Sequence, residues 1–162
     1  MKNYKCYRAF TLIEVLVAIS LLVVALLAAI SLLIRTISLS SVITDKFIAA
    51  NLAQEGVELV RNLRDNNLLN GRTWNYNLSA GKYYLDLDDK DLTKCSNGCP
   101  YLKFDKTTGF YSYNSGLSSK FKRAIIINYP TADEMQINSI VEWREKGIDF
   151  KIDVEDHLYN FY

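Results

Sequence analysis

The stretch FTLIEVLVAISLLVVALLAAISLLIR, residues 10–35, decides the architecture of this chain. Between Val15 and Ile34 it holds twenty consecutive residues without a formal charge. An α-helix needs about 20 apolar residues to span a bilayer. The sequence therefore predicts a transmembrane helix over residues 10–35.

One carboxylate, Glu14, stands near the start of this segment, at the rim of the predicted span. A carboxylate inside hydrocarbon costs roughly 2–3 kcal/mol on insertion scales, and such residues usually have a function and a nearby partner. In the alternative interpretation Glu14 merely lies in the first helical turn, where the helix dipole favours an anion by about 0.3–1 kcal/mol. Its position alone leaves both interpretations open.

The residues before the apolar segment are basic. Lys2, Lys5 and Arg8 precede it with no acidic residue among them, so the positive-inside rule predicts a cytoplasmic N-terminus and an outer location for everything after Arg35. A secretory signal peptide also begins with basic residues, but its apolar region usually has only about 7–15 residues. The net charge of the 162-residue chain is +1, which gives no indication of nucleic-acid binding.

Beyond the span, residues 36–67 are predicted to continue as an amphipathic helix on the outer side. The segment from about Phe10 to about Asn67 contains no proline, and asparagines and Gly71 follow it as stop signals. Apolar residues recur there at steps of three and four, which places them on one helical face. This predicted stripe consists of Ala49, Leu52, Ala53, Gly56, Val60 and Leu63. Gly56 serves either close packing or local flexibility, and the sequence does not decide between them.

Residues 68–162 change to a period near two and are predicted to form an antiparallel sheet. Six segments are short, rich in β-branched and aromatic residues and mostly separated by turn signals. They are residues 82–88, 100–105, 109–114, 120–129, 135–145 and 148–156. Pro130 is expected to end the fourth strand. The predicted fold class is therefore α+β, with the outer half of the long helix packed on the sheet.

Residues 8–15, RAFTLIEV, with the basic leader before them and the apolar run after them, resemble the prepilin signal of type IV pilins and pseudopilins. The resemblance implies that residues 1–9 are a leader peptide and that prepilin peptidase cleaves between Ala9 and Phe10. It further implies that the new N-terminus at Phe10 is methylated and that Glu14 is the family's assembly glutamate. Ala9 departs from the family, which mostly has glycine there.

The same resemblance implies a filament subunit and no enzymatic activity. We expect a minor pilin or pseudopilin of a type IV pilus-like or type II secretion-like filament, because residues 51–65 and 141–162 are similar to those of minor pilins or pseudopilins. Residues 10–67 also lack the proline that many major pilins have, which weakens a major-subunit interpretation. The implied partners are the membrane, the prepilin peptidase and methyltransferase, other pilin or pseudopilin subunits and the assembly platform. The expected location is the inner membrane and then an extracellular or periplasmic filament. The alternative is a single-pass, membrane-anchored binding module.

Two cysteines fall on the predicted outer side, in the sequence CSNGC. A Ser-Asn-Gly turn between Cys95 and Cys99 makes a small disulfide-closed loop sterically reasonable, and the outer compartment permits it. A metal or redox site is the alternative, but the second cysteine pair or the histidine spacing of such sites is missing.

The remaining polar signals predict no catalytic residue, cofactor or metal site. The acidic run from Asp86 to Asp91 vaguely resembles a calcium loop, but it lacks the glycine and glutamate of EF-hand spacing, which favours a solvated turn. His157 is the only histidine and is expected at the surface or at a sheet edge. The tyrosines and Trp74 of the sheet domain are interpreted as packing residues, with a ligand-binding surface as the alternative.

Overall fold

The computed structural model describes residues 11–160 and contains one long helix followed by seven strands. The helix, α1, spans Leu12–Leu69. The strands are β1 (Gly81–Tyr84), β2 (Thr93–Lys94), β3 (Tyr101–Phe104), β4 (Tyr111–Ser112), β5 (Leu117–Thr131), β6 (Glu134–Glu145) and β7 (Ile148–Tyr159). All strand pairs are antiparallel, which confirms the predicted α+β class. Contacts between Cα atoms divide the chain into two compact units at the Ile43–Thr44 junction.

The end of α1 has a capping geometry that its sequence dictates. The amide of Gly71 donates to the Leu68 carbonyl at 3.0 Å, and the amide of Arg72 donates to the Asn67 carbonyl at 2.9 Å. Gly71 has a φ of 67°, which glycine adopts without a steric penalty. These two bonds form a Schellman motif, so the stop signal predicted at this point is confirmed.

The sheet is built around the 15-residue strand β5. One side of β5 pairs with β6, and the other side pairs with β1 near its C-terminal end and with β3 near its N-terminal end. The short strands β2 and β4 extend β1 and β3. Strand β7 pairs with β6 alone among the described strands, so it forms one edge of the sheet.

Two local predictions in the sheet have different outcomes. The expected end of the fourth strand at Pro130 is wrong, because β5 continues to Thr131. The pairing with β6 shifts its register between Asn128 and Thr131, and such an irregularity accommodates a residue without an amide hydrogen. A turn signal between the predicted segments 135–145 and 148–156 is confirmed: Lys146 and Gly147 have φ values of 50° and 81°, as a two-residue type I′ hairpin turn requires.

The core of the second unit lies between the C-terminal part of α1 and one face of the sheet. The predicted stripe is confirmed, since its first five residues are buried and Leu63 is half-buried. It packs on residues such as Ile125, Ile127 and Val141 of β5 and β6, none of which has any exposed side-chain surface.

Gly56 of α1 is part of this contact. A Cβ atom built on Gly56 would clash with the hydroxyl of Ser139 on β6 and would lie 3.2 Å from Cδ of Arg123. The glycine therefore serves close packing of helix on sheet.

Candidate functional site

The described chain begins with the N-cap of α1. The amide of Glu14 donates to the Thr11 hydroxyl at 3.3 Å and to the Thr11 carbonyl at 3.1 Å, and the amide of Val15 donates to the same carbonyl at 3.3 Å. Thr11 is thus the N-cap, and Glu14 occupies the third helical position, as in a capping box. Glu14 lies in the first turn and is exposed.

The predicted cleavage and methylation positions, Ala9 and Phe10, lie outside the described residues, as does Cys6. The structure therefore places only Glu14 among the N-terminal site residues. Its carboxylate has no hydrogen bond or ion pair with another described residue, while its amide is fixed by Thr11.

The first unit presents an apolar surface on every side of the helix. The large hydrophobic side chains between Leu12 and Ile43 are 45–79% exposed, apart from the half-buried Val42, and none is buried within the described part of the unit. This helix is long and apolar enough to cross a membrane. A helix at the surface of a soluble protein shows one apolar stripe, and its other side faces water. A helix that is hydrophobic on all sides needs lipid or other helices around it.

Two hydroxyl groups within this apolar surface, those of Ser20 and Thr36, find partners on their own helix. Ser20 donates to the Val17 carbonyl at 2.8 Å, and Thr36 donates to the Leu32 carbonyl at 2.9 Å. Both hydroxyls are therefore compatible with surroundings that contain no water.

The predicted disulfide is present in the structure. Cys95 and Cys99 are bonded, with their Cα atoms 4.8 Å apart. Cys99 is buried, and its Sγ lies 3.8 Å from the Tyr83 carbonyl oxygen of β1, whereas Cys95 is half-buried. The bridge therefore anchors the loop before β3 on the neighbouring strand β1.

The acidic run after β1 differs from a simple solvated turn. Asp86 is only 4% exposed, and its carboxylate accepts hydrogen bonds from the amides of Leu87 and Tyr113 and from the Asn114 side chain. Asp89 in turn accepts a bond from the Asp86 amide at 2.9 Å. Asp86 therefore connects two loops by hydrogen bonds, and the expectation of a solvated turn is wrong for this residue.

Arg123 of β5 is a buried charge that sequence reasoning missed. Its side chain is fully buried, donates to the main-chain carbonyls of Leu52 (3.1 Å) and Leu85 (2.7 Å), and forms an ion pair with Glu55 at 3.1 Å. The hydroxyl of Tyr113 donates to the Arg123 carbonyl at 3.3 Å. An arginine within a run of strand residues gave no sign of this environment, because only the tertiary fold brings α1 and β1 beside it.

A second charged contact connects α1 to the sheet. Nζ of Lys120 lies 2.6 Å from Oδ2 of Asp45 and 2.8 Å from Oε2 of Glu145. The Asp45 side chain is largely buried. Asp45 precedes the predicted stripe by one turn, so this pair extends the contact between helix and sheet towards the unit boundary.

His157 lies on the edge strand β7, as expected. Its Nδ1 is 2.7 Å from Glu134 and its Nε2 is 3.1 Å from Glu155. The hydrogen bond with Glu155, followed by that with Glu134, raises the pKa of the imidazole. No nucleophilic serine or cysteine bonds to this ring among the described residues.

The aromatic residues of the sheet pack mainly against one another. Trp143 stacks on Phe150 with ring centroids 5.3 Å apart, and Tyr84 lies 5.0 Å from Tyr113. Within residues 11–160, no group of three histidine, cysteine or acidic side chains is arranged to hold a metal ion.

The comparisons with known proteins agree with the N-terminal geometry. The prokaryotic N-terminal methylation motif matches residues 4–30. Comparison with curated proteins and with solved structures gives no match. Pilin-like proteins are generally not enzymes. The exposed apolar helix and the matched motif together identify the N-terminal segment as the signature of type IV pilins and pseudopilins. This signature is that of a pilin-like precursor, which prepilin peptidase processes.

Proposed function

We propose that this protein is a non-enzymatic minor pilin or pseudopilin, a subunit of a type IV pilus-like or type II secretion-like filament. The observation that carries the proposal is the helix from Leu12 to Ile43, which is apolar and exposed on all sides. Lipid would surround this helix before assembly, and the same segments of other subunits would surround it afterwards.

In the membrane stage, the basic leader of residues 1–9 stays in the cytoplasm, residues 10–35 span the inner membrane, and the parts from residue 36 lie outside. The disulfide between Cys95 and Cys99 supports an outer location for the sheet, since disulfides persist in oxidising compartments. Cleavage between Ala9 and Phe10 then leaves a free α-amino group, which becomes methylated, two residues before the helix begins.

In the filament stage, Glu14 of one subunit pairs with the α-amino group at Phe10 of its neighbour. Two unit charges 4 Å apart attract by about 4 kcal/mol at an effective dielectric of 20. That exceeds the roughly 2–3 kcal/mol that a carboxylate costs inside hydrocarbon. The pair would set the axial register of neighbouring subunits.

Glutamate also suits the third helical position for local reasons, although its carboxylate makes no bond to the Thr11 amide here, and one substitution separates this local role from the pairing. Glutamine serves at the third position of a capping box as glutamate does, but it carries no charge. We expect Glu14→Gln to leave α1, leader cleavage and membrane levels unchanged and to lower the amount of subunit in sheared filaments at least fivefold. Glu58→Gln, an exposed glutamate of the second unit, is the matched control. Normal incorporation of Glu14→Gln would leave Glu14 only its local role in the first turn of α1.

The first test of the proposal is the N-terminus itself. Mass spectrometry of protein from cells with an active prepilin peptidase should find Phe10 with one added methyl group. An intact Met1 in such cells would instead favour a membrane-anchored binding module, with the helix as stalk.

A further inference from the structure

The apolar helix of the first unit carries two formal charges between residues 11 and 44, namely Glu14 and Arg35. They have opposite signs, and both side chains are exposed. Neither makes a hydrogen bond or an ion pair through its side chain with another residue in the described range 11–160. Each charge is therefore available to a partner outside the subunit.

The two charges cannot meet within one helix. Twenty-one positions separate them in the continuous helix α1, which corresponds to about 31 Å at 1.5 Å per residue. Side chains on one helix reach only about three to four positions along it. All copies enter the membrane in the same orientation, because each carries the same basic leader, so neighbouring helices are parallel. Opposite charges then become level only between copies displaced by about 31 Å along the axis.

We propose that Arg35 of one subunit binds the Glu14 carboxylate of a second copy of this chain, displaced by that distance in the assembled filament. The contact rests on the proposed filament function and adds a second determinant of register to the pairing of Glu14 with the α-amino group. In the membrane, Arg35 reaches the headgroups or water at the outer surface. Once helices replace lipid, a guanidinium without a partner would be strongly unfavourable.

Charge complementarity selects Glu14 as the partner. The next acidic residue along α1 is Asp45, which already contacts Lys120 at 2.6 Å within its own unit. Glu14 is the one acidic residue of the apolar segment, so the parallel helix of a second copy supplies the carboxylate at a single displacement.

Cross-linking measures this displacement directly. Ala18 and Leu39 each lie four positions after Glu14 and Arg35, so they become level at the same displacement. The double variant Ala18→Cys/Leu39→Cys is treated in sheared filaments with a short thiol cross-linker, with tagged and untagged copies co-expressed. We expect covalent ladders containing both kinds of copy, at least fivefold above the control Ala18→Cys/Leu32→Cys, whose positions are about 10 Å out of register. Equal or stronger linking in the control, or links only to another protein, would overturn the proposed contact.

The charge itself is tested by substitution at Arg35. Arg35→Gln should lower incorporation into filaments at least fivefold at an unchanged membrane level, and Arg35→Lys should largely restore it. Normal incorporation of Arg35→Gln, with Glu14→Gln still defective, would refute the Arg35 contact and leave the filament function standing. Absence of the wild-type chain from the filament fraction would overturn both.

Discussion

Arg123 donates a hydrogen bond from Nη1 to the main-chain carbonyl of Leu52 across 3.1 Å, so a fully buried side chain of β5 joins the C-terminal part of α1 to the sheet. Removing it leaves a cavity and takes the hydrogen-bond donor away from the Leu85 carbonyl. We expect Arg123→Ala to lower the free energy of unfolding of the second unit by about 3–5 kcal/mol. Urea denaturation of the full chain in detergent, followed by tryptophan fluorescence, measures the loss. Arg144→Ala, at an exposed arginine of β6, should change it by less than about 0.5 kcal/mol.

Gly56→Ala tests the close approach of α1 to β6. Alanine favours the helix by about 1 kcal/mol, but the added methyl group meets Ser139, and such overpacking typically costs about 1–3 kcal/mol. We expect a net destabilisation in the same denaturation assay. A gain in stability would show that Ser139 moves aside freely.

Ser139→Ala gives the matching test from the sheet side. The Ser139 hydroxyl is buried and has no hydrogen-bond partner among the described residues. Removing an unsatisfied buried hydroxyl should leave stability unchanged or raise it by up to about 1 kcal/mol. In the Gly56→Ala background the same change should recover part of the lost stability, because it removes the nearest clashing atom. Strictly additive effects in the double variant would contradict this coupling.

The disulfide should protect Cys95 and Cys99 from thiol reagents. In freshly isolated native protein, Cys95 and Cys99 should react with maleimide only after reduction. A loop this short gains less than the roughly 3 kcal/mol expected for fifteen residues, so Cys95→Ser should loosen the loop and leave the sheet folded. Circular dichroism checks the fold, and labelling before reduction in the wild type would contradict the bridge.

His157 should titrate above the ordinary histidine value. Its pKa is raised by the hydrogen bonds with Glu155 and Glu134, so the charged imidazole contributes stability that is fully present below about pH 6.5 and is lost as pH rises through the higher folded pKa. Because His157 is the only histidine, one imidazole NMR signal reports the midpoint. Glu155→Gln and Glu134→Gln should each lower that midpoint, whereas Asp149→Asn on the same strand should not.

The long helix and the strands could be predicted because their signals are local. The expected helix from about Phe10 to Asn67 corresponds to Leu12–Leu69, and the period of two located all the strands except β2. Strand β2 has only two residues, Thr93 and Lys94, and two residues show no alternation. The predicted disulfide likewise depended on neighbours in the sequence.

The polar interior could not be predicted, because distant parts of the chain create it. Arg123 donates to the carbonyls of Leu52 and Leu85, which lie 71 and 38 positions away from it along the chain. Asp86 accepts a bond from the amide of Tyr113, 27 positions along the chain. From the sequence, Gly56 could serve either close packing or local flexibility. The position of Ser139 beside it decides in favour of packing.

The exposed edge of β7 has a consequence for how copies of the protein associate. An edge strand of 12 residues presents main-chain groups to which another sheet could add, a common route to aggregation. Three of its outward side chains, Asp149, Asp153 and Glu155, are carboxylates, and Lys151 is the one outward lysine. Charged side chains along an edge strand disfavour such pairing, because a strand added there would take them out of water, so copies of this protein are expected not to join through β7.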